Sequence, residues 1–211
     1  MLWIITLTNV AQAQQNMGAG RLDILRDVAE DGFLRANIVK PFNFPKDHGP
    51  HPGYRHEWWY ATGNLDGPSG RRFGYQLTFR LALAPEKDTE ENQQRSHWKT
   101  PLAFAAHFAV TDVQNDDFHF SHRYSRGDGR LAGAKDDPVR IWLEDWSLEQ
   151  SEGGWKIKVH DGDINLNLDL SPTKPPIFNG QEGLSRKSST PGNATYYYSL
   201  PRLESRGTLK I

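Results

Sequence analysis

Beyond residue 70, hydrophobic residues recur at every second position through much of the chain. The stretch FGYQLTFRL sets Phe73, Tyr75, Leu77, Phe79 and Leu81 on one side and Gln76, Thr78 and Arg80 on the other. INLNLDL alternates Ile164, Leu166, Leu168 and Leu170 with Asn165, Asn167 and Asp169, and WKIKV alternates Trp155, Ile157 and Val159 with Lys156 and Lys158. Side chains of an extended chain point to opposite faces in turn, so this pattern predicts half-buried strands. LAFAAHFAV, residues 102–110, is apolar at both phases. That predicts a central strand covered on both sides, or one lining a cavity.

Further strands are predicted over 55–65, 117–124, 139–149, 195–200 and 205–211, punctuated by the turn signals LDGPSG, GDGR, SEGGW and HDGD. The longer segments 84–100 and 171–193 are polar and read as loops. Many short antiparallel strands predict an all-β closed barrel or sandwich, which disposes of exposed strand edges. Helical spacing is confined to Leu22, Leu25, Val28 and Ala29. PFNFPKDHGPHPG follows, with four prolines and two glycines in thirteen residues, a composition for rigid extended loop.

Composition changes this picture by exclusion. The 211 residues carry a formal net charge of −1 with acids and bases interspersed, which gives no electrostatic reason to expect nucleic acid or an anionic membrane. There is no cysteine, so disulfides, thiolate metal sites and Cys nucleophiles are excluded. Seven Trp, seven Tyr and ten Phe suit strand surfaces and apolar pockets. At the start, MLWIITLTNVAQAQQ has an apolar run too short to span a bilayer. Ala11-Gln12-Ala13 fits the small-x-small pattern before a signal-peptidase cut, although a basic leader is missing. Residues 1–13 are therefore expected to be a shortened secretory signal, residues 14–43 a lead segment, and the protein secreted or periplasmic.

The richest chemistry lies in FPKDHGPHPGYRHEWWYATGNL, residues 44–65. Three readings compete there: a metal site, a catalytic acid, or the start of a strand. His48 and His51 are spaced H-x-x-H, but the prolines between and after them exclude one helix face. His56-Glu57 is followed by Trp58, Trp59 and Tyr60 rather than by a zincin motif. No metal and no cofactor is expected. On a strand, Glu57, Trp59 and Ala61 share one face, and Trp58, Tyr60 and Thr62 the other. Aromatic neighbours would desolvate the Glu57 carboxyl and suit it to proton donation, unless it anchors the strand by pairing with Arg55, Arg80 or a backbone N–H. His107 is the one strongly polar residue in LAFAAHFAV, either a hydrogen-bonded core residue or a proton carrier in a lumen. Glu57 and His107 are the catalytic candidates, and Trp58, Trp59, Tyr60, Tyr75, Arg80 and Tyr197 the ligand-binding ones. No G-x-S-x-G elbow or phosphate-binding glycine loop is present.

Five segments in order, FPKDHGPHPGYRHEWWYATGNL, RRFGYQLTFRLAL, AAHFAVTDV, IWLEDWSLE and ATYYYSLPRLESRGTL, resemble the AttH and carotenoid 1,2-hydratase family, lipocalin-like proteins often labelled predicted secreted hydrolases. The resemblance covers residues 40–211, and EWWY-x-TGNL is its most specific part. It implies two lipocalin-like β-barrels in tandem, with residues 44–211 the first of the pair. Family chains continue into a second barrel opening with a segment like G-x-A-W-M-D-x-E-W. This sequence stops at Ile211, so the second barrel is expected to be largely missing. The resemblance further implies an apolar, isoprenoid- or lipid-like small-molecule ligand. Two activities follow from it: acid-catalysed hydration of a carbon–carbon double bond, or non-catalytic carriage of a lipid or pigment. Hydrolase follows from the family label alone. Self-association is expected through any surface the second barrel would cover, and no membrane-spanning segment is expected.

Overall fold

The computed structural model describes residues 33–83 and 102–211. The shortened signal, the helical spacing at 22–29 and the polar segment 84–100 lie outside the described residues. The first sheet is an antiparallel meander, β1 (His56–Asp66), β2 (Arg72–Leu83), β3 (Leu102–Asp112) and β4 (Asp117–Arg126), in that spatial order. The second holds β5 (Ala132–Asp136), β6 (Val139–Leu143), β7 (Trp146–Ser151), β8 (Gly154–Asp161) and β9 (Ile164–Pro172) in sequence order. A late strand, β14 (Leu203–Lys210), is added against β9. Between β9 and β14 the chain forms two small ladders. There β10 (Ile177–Phe178) pairs with β13 (Tyr198–Ser199), and β11 (Leu184–Arg186) with β12 (Ala194–Tyr196).

The period-two pattern decides which faces meet. Leu77 and Phe79 of the first sheet, with Phe108 from β3, pack against Ile141, Leu143, Trp146, Ile157 and Leu166 of the second, all essentially free of solvent. Each such side chain contributes about 1.5–3 kcal/mol by leaving water. The fold is thus all-β and lipocalin-like, but among the described residues no hydrogen-bonded ladder joins the two sheets into a closed barrel. Their interior is filled by side chains rather than open as a lumen.

Several elements differ from the sequence expectation for local reasons. The span 139–149 is two strands, because Glu144 takes a left-handed backbone (φ 57°) and turns the chain between β6 and β7. The polar stretch 171–193 contains β10 and β11, too short for any periodicity to show. The hairpins β7–β8 and β8–β9 use the glycines of the SEGGW and HDGD signals, Gly153 (φ 79°) and Gly162 (φ 61°), where positive φ matches the strand twist. No helix among the described residues is long and apolar enough to cross a membrane.

Candidate functional site

Strand register places every candidate on one of two faces. Pairing of β1 with β2, β2 with β3 and β3 with β4 is unbroken, so residues opposite one another share a face. Glu57, Leu81 and Phe104 form one inner row, while Tyr60, Thr78, His107 and His122 form one outer row. Glu57 and His107 therefore lie on opposite sides of the sheet and do not meet.

On the inner side, the Pro-rich loop folds over the start of β1. Glu57 accepts two hydrogen bonds from one residue, His51: from the backbone N–H at 2.8 Å and from the Nδ1–H at 2.5 Å. The far nitrogen of His51 reaches Asp47 Oδ1 at 3.4 Å. The hydrogen bond to Glu57 holds the His51 imidazolium above its ordinary range, outweighing burial. Of the anchors foreseen for Glu57, a backbone N–H is observed, and it belongs to His51, a residue weighed from the sequence as a metal ligand and not as a partner of Glu57.

His48 takes a different environment. Its Nδ1 sits 2.7 Å from the Tyr198 hydroxyl, and its ring stacks 4.4 Å from Phe44 and meets Trp155 edge-on at 5.2 Å. Burial pushes His48 down, towards the neutral imidazole, and pushes the Tyr198 phenol up. Phe42, Phe44, Phe178 and Tyr198 close this region, with ring centroids 4.8–5.1 Å apart for the Phe44–Tyr198 and Phe42–Phe178 pairs. Trp59 is buried and donates its indole N–H to the His48 carbonyl at 3.0 Å. Tyr75 also faces the interior, and burial raises its phenol. No group of three or more His, Asp or Glu side chains able to hold a metal ion occurs among the described residues.

The outer side of the same sheet is aromatic and open. Trp58 (45% exposed), Tyr60 (49%), Phe118 (62%), Phe120 (46%) and Tyr124 (40%) all stand on it. Strand β4 causes this by inverting the usual polarity. Its aromatic phase, Phe118, Phe120 and Tyr124, faces outward, while His119, Ser121 and Arg123 face inward. The inward polar groups are satisfied. His119 and Ser121 bond Asp161 at 2.7 and 3.1 Å, and Arg123 bonds the His160 carbonyl at 2.8 Å, pairs with Asp145, and lies over Trp146.

His107 rises from the middle of this outer face between Phe120 (6.0 Å) and Tyr124 (6.3 Å). Burial lowers its basicity, and the neighbouring His122 and Arg80 lower it further. On the outer face, Ala105 is flanked by the long side chains of its cross-strand partners, Arg80 on β2 and Tyr124 on β4. This explains why Ala105 is buried while His107 is only half so. Arg80 lies over the Trp58 ring, 5.4 Å from its centroid. Tyr60 and Tyr197 hydrogen-bond through their hydroxyls at the β1 edge. That contact raises the Tyr60 phenol and lowers that of Tyr197, with Lys187 5.8 Å from the Tyr197 ring. Of the foreseen residues, Trp58, Tyr60, Arg80, His107 and Tyr197 thus gather on the outer side, and Glu57, Trp59 and Tyr75 on the inner. Sequence reading missed Phe118, Phe120, His122 and Tyr124, whose signal was an aromatic alternation in DFHFSHRY with polar residues at the other phase.

Two facing antiparallel sheets with an aromatic outer surface define a protein of the lipocalin-like class. The chain belongs to the AttH-like family, which it matches over residues 35–211. It is similar to the crystal structure of a candidate AttH protein, NE1406, from Nitrosomonas europaea, with 28% identity and a TM-score of 0.70. That match covers 84% of this chain and 52% of the other, so the chain spans about half the length of that relative. No curated protein matches.

Proposed function

We propose that the chain binds an apolar, isoprenoid- or lipid-like small molecule along the outer face of β1–β4. The observation that carries this reading is the inverted polarity of β4, which presents three aromatic rings outward beside Trp58 and Tyr60. A soluble surface rarely gathers large apolar side chains in one contiguous patch without a partner for them. Between the sheets, by contrast, the described apolar side chains pack against one another as a core. The test is a titration of the whole chain with retinol and geranylgeraniol, read by tryptophan fluorescence. Replacing Phe120 and Tyr124 together by Ala should weaken binding at least tenfold, while W142A on the second sheet should leave it unchanged. Saturable binding that ignores F120A/Y124A would overturn the assignment to this face.

Acid-catalysed hydration is a second and separate reading, which places the alkene not on the outer face but against the Pro-rich loop, where His51 Nδ1 and Glu57 Oε1 stand 2.5 Å apart. An acid there would add a proton to one alkene carbon, and water would capture the cation and return a proton. Mass-spectrometric assay for water addition decides it: E57Q should abolish the product while retinol binding persists. Turnover by E57Q at the parental rate excludes Glu57 as the acid. Without turnover by the parent chain, carriage of a lipid or pigment remains the function.

Two further expectations belong to the same reading. The apolar residues 2–7 and Ala11-Gln12-Ala13 support export to the cell envelope, and N-terminal sequencing of protein from its native source should begin near Gln14. The aromatic face also supports self-association when no ligand covers it. Sedimentation should then show a concentration-dependent dimer that retinol disperses.

A further inference from the structure

Two cross-strand rows towards one end of the outer face differ from the rest of it. They run Thr62–Gln76–Ala109–Phe120 and Asn64–Gly74–Thr111–Phe118 from β1 to β4. Each carries hydroxyl and amide groups, ends on a phenyl ring and contains no charged side chain. The rows lie about 6.7 Å apart, the distance between alternate residues of a strand. Between them Gly74 and Ala109 leave a shallow hollow of about 450 Å³, walled by Thr62, Asn64, Gln76, Thr111 and Phe118.

The floor of this hollow is not required by the fold. Gly74 lies inside β2, where a glycine weakens a strand and often marks a place that a ligand approaches closely. Its backbone does not take a positive φ. A Cβ there would meet Thr111 at 3.8 Å, which is ordinary van der Waals contact. Gly63 on β1 is different, because a Cβ there would press on the Tyr75 ring at 2.9 Å. Packing therefore demands a bare position at 63 and not at 74. The polar rim, meanwhile, faces solvent with hydrogen-bonding capacity left. Asn64 and Thr111 are exposed, and among the described residues their side chains have no hydrogen-bond partner. Thr62 donates to the Tyr75 carbonyl at 3.0 Å and Gln76 Nε2 to the Thr78 hydroxyl at 3.4 Å, which leaves the Thr62 oxygen and the Gln76 carbonyl to accept.

We propose that the apolar ligand carries an uncharged, polyhydroxylated head of the pyranose type, seated in this hollow, with its tail on the rings of Phe120, Tyr124, Tyr60 and Trp58. The inference rests on the apolar-ligand reading above and deepens it by naming the head. Sugar hydroxyls both donate and accept, and the amides of Asn64 and Gln76 and the hydroxyls of Thr62 and Thr111 match them in kind. The C–H face of a pyranose suits the negative face of a phenyl ring, here that of Phe118, which is 62% exposed. With no charge on the rim, an ionised head would find no opposite charge to offset its lost hydration.

The experiment compares octyl β-glucopyranoside with octanol, below micellar concentration, by calorimetry on the whole chain. The glucoside should bind at least tenfold more tightly. N64A/Q76A, and separately G74V, which fills the hollow, should each erase that preference while octanol affinity stays unchanged. N64A/Q76A removes only exposed groups, so it decides the matter should G74V fold poorly. An NMR titration supplies an independent readout: the glucoside should shift the side-chain amide signals of Asn64 and Gln76, and octanol should not. Equal affinities for the two probes, or a preference that survives both variants, would overturn the seated head and leave apolar binding standing. Binding of neither would overturn both readings. Glucose binding as tightly as the glucoside would overturn the joined ligand and leave a separate sugar site.

Discussion

His48 and His51 stand three residues apart, and their surroundings push them in opposite directions. Bonding to Glu57 raises His51 above the ordinary value of 6.5, and burial lowers His48 below it. A raised histidine adds stability that is complete below pH 6.5 and is lost as pH climbs through its folded value. A depressed one adds stability that is complete above pH 6.5 and is lost as pH falls through its folded value. Thermal stability should therefore peak near pH 6.5. H51Q should flatten the alkaline limb and H48Q the acid limb, as measured by Tm across pH 4–9. Glu57 itself holds two donors of the loop, so E57Q should cost about 1.5–3 kcal/mol in chemical denaturation, the range for hydrogen bonds to a charged group. Glu57 was legible in the sequence as a carboxylate beside aromatics. Its partner was not, because the contact depends on how a proline-rich loop closes over the strand.

At the scale of elements, β4 departs from the rule that a strand buries its apolar phase. Periodicity alone finds such a strand but not its sense, since a period of two is the same whichever face is inside. What inverts β4 is the polar company awaiting its other phase, Asp161 for His119 and Ser121, and Asp145 for Arg123. The late strand β14 depends on another local condition. A Cβ at Gly207 would overlap the backbone carbonyl of Asn167 on β9. G207A should therefore destabilise the fold by at least about 1–3 kcal/mol, as overpacking does elsewhere. Hydrogen exchange should quicken first along β14 and β9. A G207A chain with unchanged exchange there would mean the strands can part at no cost.

At the scale of the described sheets, the two share one core, and Arg123 joins His119 and Ser121 as a polar link between them. From β4 it reaches Glu144 at 3.0 Å, the His160 carbonyl at 2.8 Å and the Trp146 ring at 4.3 Å, all on the second sheet. R123M keeps the aliphatic stem but loses every charged contact, and a loss of about 1.5–3 kcal/mol is expected in urea denaturation. A double cycle with D145N should show coupling between the two sites. Additive losses would mean the two residues act separately.

The amino-acid sequence by itself determined the all-β class, the family, the list of side chains able to act, and the longer strands β1–β4, β8, β9 and β14 to within about two residues, but not β5, β10 or β11, nor the breaks within 139–149 and 195–200. Alternation and turn glycines are properties of the local chain, so they survive without any tertiary context. Only the tertiary structure decided the sense of each face. It sent Glu57 inward to His51 and His107 outward to Arg80 and His122, and among the described residues no ladder joins the two sheets. The reason is that register fixes which residues are neighbours, and register is set by packing between strands distant in sequence.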